Sequence, residues 1–353
     1  VGHPGRRKQT DQMKPRHAVR LAQYFTPKPV AALVWALARR LRGDASDRLR
    51  VIDPAAGAGV FLEVVREDGA GGPHLVRGIE IDRGLEERLV APWVAGCTDW
   101  GDALLDRFPA APDGVIDVVV GNPPFGRLRQ LHPRAAEVSA WSGFAIWQRP
   151  PRAPGRTVRP LPAACPIDVL FVERALQLVA PGGVVALVMP QGFLANARLQ
   201  WARDWVLERA WLRAVLALPG AVFRTQGLNA QAGVVLLQRP RPGQTAAPEV
   251  RLVAPGRGDA ASPSWAAQVQ AAAFGAAAGS ATSGSLRVPR DRLVGHRWDP
   301  GYWLGHGLPA GAAGGRKWCS LGEHIVHLTY GPVVTGRSPE RVAEGIRVIR
   351  QGD

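Results

Sequence analysis

The sequence predicts an α/β fold, a mostly parallel sheet flanked by helices, with its chemistry at the carboxyl ends of the strands. Three observations predict it. Short β-branched runs recur at Leu49-Arg50-Val51-Ile52-Asp53, Leu75-Val76-Arg77-Gly78-Ile79-Glu80 and Ile116-Asp117-Val118-Val119-Val120. Helical apolar patterns accompany them, with Val30, Leu33, Val34 and Leu37 on one face and a second start at Phe61-Leu62. The first run empties into the small-residue loop Pro54-Ala55-Ala56-Gly57-Ala58-Gly59, where little side chain obstructs a ligand.

The run from Ile116 ends abruptly in Gly121-Asn122-Pro123-Pro124-Phe125-Gly126. Two prolines fix φ and remove two N–H donors, so a rigid, extended turn follows the strand. It offers the Asn122 amide, the Pro123 carbonyl and the Phe125 ring. Such a set suits an exocyclic amino group held while its base lies on the aromatic face. It also suits an ordinary strand-ending turn. Upstream, Gln23-Tyr24-Phe25-Thr26-Pro27 leads into the first helix, with Thr26 as the expected cap. Glu80 ends the second strand, where an acid reaches ribose hydroxyls in doubly wound folds, and Asp102 ends a third candidate at 95–104. A third fingerprint glycine is missing after Gly57 and Gly59, which disfavours NAD.

The 353 residues leave room for one large or two ordinary domains. Lys and Arg number 44 against 29 Asp and Glu, a net charge of +15 that points to a polyanionic partner unless coding bias inflates arginine. Cys97, Cys165 and Cys319 lie far apart, and the eight histidines lack ligand spacing, so neither a disulfide framework nor a metal site is expected. No apolar run of transmembrane length and no signal peptide is visible, which makes the cytoplasm the default expectation. Val1 in place of Met suggests an alternative start codon or a trimmed fragment.

Taken in order, Gln-Tyr-Phe-Thr-Pro at 23–27, Asp-Pro-Ala-Ala-Gly-Ala-Gly-Val-Phe-Leu at 53–62, Gly-Ile-Glu-Ile-Asp at 78–82, Gly-Asp-Ala-Leu at 101–104 and Asn-Pro-Pro-Phe at 122–125 form one set. This set resembles the gamma class of S-adenosylmethionine-dependent DNA adenine-N6 methyltransferases, including type I modification subunits and type IIG enzymes. The resemblance covers roughly residues 20 to 240; Ala56 stands where many members carry Cys. It implies a Rossmann-like class I methyltransferase with a seven-stranded, mostly parallel sheet. It also implies roles. Tyr24, Phe25 and Thr26 close over the methionine end of S-adenosylmethionine, while Asp53, Ala55, Gly57 and Gly59 line its amino-acid portion and Phe61 also belongs to the cofactor site. Glu80 binds the ribose, Ile81 lies against the adenine, and Asp102, beside Ala103, accepts from the cofactor's amino group. Asn122, Pro123, Pro124 and Phe125 form the catalytic turn, with Asn122 also touching the cofactor. Phe125 and Phe223 stack on a flipped adenine, or Phe223 is simply core. The partner implied is double-stranded DNA, with a specificity or nuclease subunit in some relatives.

The remaining chain is assigned around that domain. Residues 1–20 read as a basic flexible arm and 21–240 as the methyltransferase domain. Residues 127–166 are irregular, and Arg127, Arg129, Arg134, Arg149, Arg152, Arg156 and Arg159 interleave with Trp141, Phe144 and Trp147. That mixture fits phosphate contact and base stacking, or a solvated basic loop. Asp168–Val179 predicts an amphipathic helix, stopped by Pro181-Gly182-Gly183 before the strand 184–190. Residues 241–290, rich in Ala, Gly and Pro, read as a spacer, and 291–353 as the start of a partial α+β target-recognition domain cut short at its last strand. The expected activity is methyl transfer to adenine N6 within restriction-modification or a related phage defence. The rivals are a glutamine-N5 protein methyltransferase, disfavoured by the Tyr-Phe-Thr-Pro segment and the basic loop, and a DNA-binding specificity module without catalysis, disfavoured by the intact motifs.

Overall fold

The computed structural model describes residues 25–43, 48–68, 74–109, 111–132, 134–147, 165–220, 222–223, 231–245, 249–255, 262–274 and 283–305. The arm 1–20, Tyr24, Arg149, Arg152, Arg156, Arg159 and the segment 306–353 with its expected final strand lie outside these residues. Among those described, no helix is long and apolar enough to cross a membrane.

Helix α1 (Lys28–Arg42) buries Val30, Leu33, Val34 and Leu37, the face that the periodicity marked. Its cap is Pro27, with no side-chain bond; Thr26 is buried instead of capping, because Pro27 and Pro29 preset the first turn. Strand β1 (Arg50–Asp53), helix α2 (Val60–Glu67), strand β2 (Leu75–Glu80), strand β3 (Thr98–Trp100) and strand β4 (Ile116–Gly121) follow. Short helix α3 (Leu128–Leu131) leaves the Asn-Pro-Pro turn, and α4 (Ile167–Leu178) leads into β5 (Val179–Pro190). Then come α5 (Gln191–Ala195), α6 (Gln200–Arg209), β6 (Trp211–Ala217) and β7 (Ala232–Gln238). The described chain ends with β8 (Glu249–Pro255), α7 (Pro263–Phe274), β9 (Ser283–Pro289) and α8 (Pro300–Gly305).

The strands make one sheet of order β3-β2-β1-β4-β5-β7-β6-β8-β9. Pairs β1–β2, β2–β3, β1–β4 and β4–β5 are parallel; β7 runs antiparallel to both β5 and β6. Strand order reverses between β1 and β4, which opens a crevice at their carboxyl ends. Two apolar clusters cover the two faces. One holds Ile52, Val119, Leu170 and Trp205, and the other holds Leu33, Val51, Val118 and Leu216.

Three expectations are corrected. Among the described residues the sheet has nine strands rather than seven, and the supposed spacer supplies the extra pair: β8 lies parallel to β6 and β9 antiparallel to β8. The small-residue composition concealed an alternating Glu249-Val250-Arg251-Leu252-Val253 run whose Val250, Leu252 and Val253 are fully buried. Second, residues 291–305 do not begin a separate body. Trp298 is fully buried and its backbone N–H donates to the Leu194 carbonyl, while buried Arg203 of α6 donates to the carbonyls of Phe193, Asn196 and His296. Third, α4 is not amphipathic: every residue except Gln177 is buried. The segment after the Asn-Pro-Pro turn packs Trp141, Phe144 and Ile146 into the same cluster as α4. Glu173 accepts from the Ala145 and Ile146 amides at 2.7 and 2.8 Å, and Arg174 bonds the Ala103 carbonyl and Asp113.

Candidate active site

Two adjoining cavities occupy the crevice at the switch point. The first, about 750 Å³ including its open mouth, is walled by Glu80, Ile81, Asp102, Ala103, Leu131 and His132. The second, about 570 Å³, runs past Thr26, Asp53, Ala56, Ala58 and Phe61. Phe25, Ala55, Gly57 and Asn122 belong to both, so the strand-end amide stands where they meet.

The Gly-rich loop joins β1 to α2. Gly59 sits at φ 90 and is the N-cap of α2, a conformation that other residues adopt only with strain. A Cβ there would lie 2.4 Å from Val94 Cγ1. Gly59 therefore shapes the loop rather than lining a cavity. Gly57 donates its amide to Glu80 Oε2 at 2.8 Å, and Asp82 donates to Oε1 at 2.8 Å. Burial pushes the Glu80 pKa up, and these two amides oppose the shift. Both oxygens retain lone pairs, so the carboxylate can still accept from hydroxyls.

Asp53 is 1% exposed; Oδ1 accepts from the Ala55 amide at 2.9 Å and Oδ2 has no hydrogen-bond partner. Burial raises its pKa to about 8. The side chain lies against the next strand, where a Cβ on Gly121 would fall 2.6 Å from Oδ1. A glycine immediately before Asn122 is thus what lets the acid and the amide share one wall. A buried carboxylate with one oxygen unpartnered in a cavity suits a cationic group such as an ammonium.

Asp102 Oδ1 accepts from the Leu104 and Leu105 amides, and Oδ2 lies 2.8 Å from Nε2 of His132. His132, missed in the sequence, is 6% exposed and stacks edge-on with Trp141 at 4.7 Å. No spacing signal could have found it, since the link to Asp102 bridges 30 positions. Ile167 and Phe171 also line the first cavity; their i,i+4 spacing on α4 was an available signal.

Of the predicted residues, the crevice gathers Phe25, Thr26, Asp53, Ala55, Gly57, Phe61, Glu80, Ile81, Asp102, Ala103, Asn122 and Pro124. Phe125 is half-buried against the apolar cluster that contains α1, and Pro123 is buried. Phe223 is 1% exposed inside that same cluster and lines neither cavity, so it is placed as core, not as a stacking ring. Trp141 and Phe144 are likewise core rather than exposed stacking rings. Arg127 and Arg129 are exposed beside the turn; exposed Arg134 pairs with Glu137.

Residues 97–223 match the family model described as Eco57I restriction-modification methylase. A 222-residue stretch is 23% identical to the Defense against restriction protein B of Escherichia phage P1, covering 62% of this chain and only 8% of that relative's length. Among solved structures, a Listeria monocytogenes protein classed with the class I S-adenosylmethionine-dependent methyltransferases superposes with a TM-score of 0.57 at 18% identity, covering 73% of each chain. The methyltransferase subunit of a Streptococcus thermophilus type I restriction-modification system gives 0.58 at 17%, covering 76% of this chain and 56% of that one. The sheet order agrees with these structures, so the chain has the class I S-adenosylmethionine-dependent methyltransferase fold, and its residues 97–223, which carry the strand-end Asn-Pro-Pro turn, are similar to restriction-modification methylases of the Eco57I kind.

Proposed function

We propose that this chain methylates the N6 amino group of adenine in double-stranded DNA, using S-adenosylmethionine, within restriction-modification or a related phage defence. The observation that carries the reading is the position of Asn122 on the wall shared by two cavities, one offering Glu80, Ile81 and Asp102, the other the Asp53 carboxylate with its Oδ2 unpartnered. That donor set fits the cofactor: Glu80 for ribose hydroxyls, Ile81 for a ring face, Asp102 for an amino group, Asp53 for the ammonium. When bound, S-adenosylmethionine supplies an electrophilic methyl group on a sulfonium.

The chain's own residues do the rest. The Asn122 amide oxygen and the Pro123 carbonyl accept the two hydrogens of the target amine, which draws its lone pair out of conjugation with the ring. The prolines hold both acceptors rigid, and the amine is kept in line with the methyl group. Phe125 stacks on a base that must leave the helix to arrive there. Exposed Arg127 and Arg129 are placed to meet phosphates. Sequence choice belongs, in this reading, to a recognition region after residue 305 or to a separate specificity subunit. The match to a restriction-modification methylase model supports DNA over a glutaminyl side chain as the methyl acceptor.

The test is transfer of labelled methyl from S-adenosylmethionine to duplex DNA, followed by nucleoside mass spectrometry. N6-methyl-2′-deoxyadenosine is expected. Label on cytosine, or on protein instead of DNA, overturns the proposal.

A further inference from the structure

We propose that His132 is a positioning residue that decides which purine the first cavity accepts. It does so by holding the Asp102 carboxylate as a fixed, acceptor-only group. The inference rests on reading Asp102 as the group that meets the cofactor's 6-amino substituent.

The hydrogen bonds settle the tautomer. The Arg134 amide donates to Nδ1 of His132 at 3.2 Å, which requires a lone pair on that nitrogen. The ring proton is therefore on Nε2, 2.8 Å from Asp102 Oδ2, and is donated to it. The other oxygen, Oδ1, is held by the Leu104 and Leu105 amides at 3.0 and 3.3 Å. Donors at both oxygens leave the carboxylate no freedom to turn. Trp141 stands at 82° to the imidazole and fixes its plane, and Trp141 in turn donates Nε1–H to the Arg134 carbonyl. The pair, 4% and 13% exposed at the side chains, lies in the cavity wall with Glu80 and Ile81.

Lone pairs of Asp102 not taken by these donors are what a ligand meets. A 6-amino purine presents a donor to them; a 6-oxo purine presents an acceptor, which leaves a buried acceptor pair facing each other. Without His132, Oδ2 loses its fixed donor, and the carboxylate can rotate or take up water.

The experiment measures calorimetric affinity for two ligands, S-adenosylhomocysteine and its deaminated counterpart S-inosylhomocysteine. The proteins are the wild-type chain and the variants H132N, H132F and H132Q, with thermal unfolding to confirm folding. Asn keeps an acceptor near the Nδ1 position but lacks the distal donor; Phe keeps the ring; Gln restores a donor at similar reach. Wild type should prefer the adenosyl ligand by at least about tenfold. H132N and H132F should lose about tenfold of that preference, entirely through weaker adenosyl binding, and H132Q should recover it. The two donor-lacking variants act by different routes, so either one, folded, decides the matter. Retained preference in a folded donor-lacking variant overturns the proposal. So does equal weakening for both ligands, which is what a merely structural histidine would produce. A wild type that binds neither ligand, or both alike, refutes the reading of Asp102 itself and the inference with it.

Discussion

The two halves of the sheet solve opposite problems. In the half β3-β2-β1-β4, strand ends carry buried acids: Asp53, 1% exposed with one oxygen unpartnered, and Glu80, 8% exposed and held by amides. Its loops include the left-handed turn at Gly59. In the half β7-β6-β8-β9, Val234, Leu236, Leu216, Leu252 and Val253 are buried without a buried carboxylate on any of these strands. Each such side chain contributes roughly 1.5–3 kcal/mol on burial. The lesson is that, within the sheet, the buried acids stand at strand ends of one half, while apolar packing fills the other.

That division can be broken or sharpened by measurement. The largest effect is expected at Leu252→Ala, about 2–5 kcal/mol of stability lost in urea unfolding. Cofactor affinity should stay within a small factor, and a comparable fall in affinity would show that the halves are not separable. Next, Asn122→Ala should lower the methyl-transfer rate by at least about 10²-fold while cofactor binding persists. Near-normal turnover would remove Asn122 from the chemistry.

Glu80→Ala should weaken S-adenosylmethionine binding by about 1–3 kcal/mol, read by calorimetry. An unchanged affinity takes Glu80 out of the site.

Asp53 gives a pH signature. Its folded pKa, about 8, lies above the ordinary carboxylate range, so the native state holds a proton that the unfolded chain has released. Its contribution to stability is therefore full below the unfolded carboxylate range and is lost as pH rises through about 8. The slope is at most about 1.4 kcal/mol per pH unit. Asp53→Asn should flatten that decline between pH 5.5 and 8.5. A wild type already flat there contradicts the buried, unpaired acid. The smallest effect concerns Arg127 and Arg129: replacing both with Gln should reduce the salt slope of duplex binding by about one unit per phosphate contact. An unaltered slope returns them to solvated surface.

How much was legible differs by residue. Val118, Val119 and Pro123 announce a strand and its end through their own backbone preferences, and Gly57 announces a close approach. The Asp53, Glu80 and Asn122 positions followed from such local signals and Phe25 only from the family resemblance; all four line the crevice. Phe223 and Trp141 could not be placed, because an aromatic in a turn or loop has the same local sequence whether it faces a ligand or the core. Both are buried. Residues 241–290 misled through composition, since Ala and Gly dilute the two strands they enclose.

The sequence by itself determined the class of fold, the alternation of its elements, the strand-end Asn-Pro-Pro turn and the acids at the strand ends. Each of these depends on backbone conformation or on side-chain chemistry within a few residues. Only the tertiary structure decided that β8 and β9 extend the sheet, that α4 is buried all round, and that His132 fixes Asp102. Those are relations between distant segments. Strand pairing and burial depend on which partner surface is left open once the rest of the chain has folded, and a local pattern does not record it.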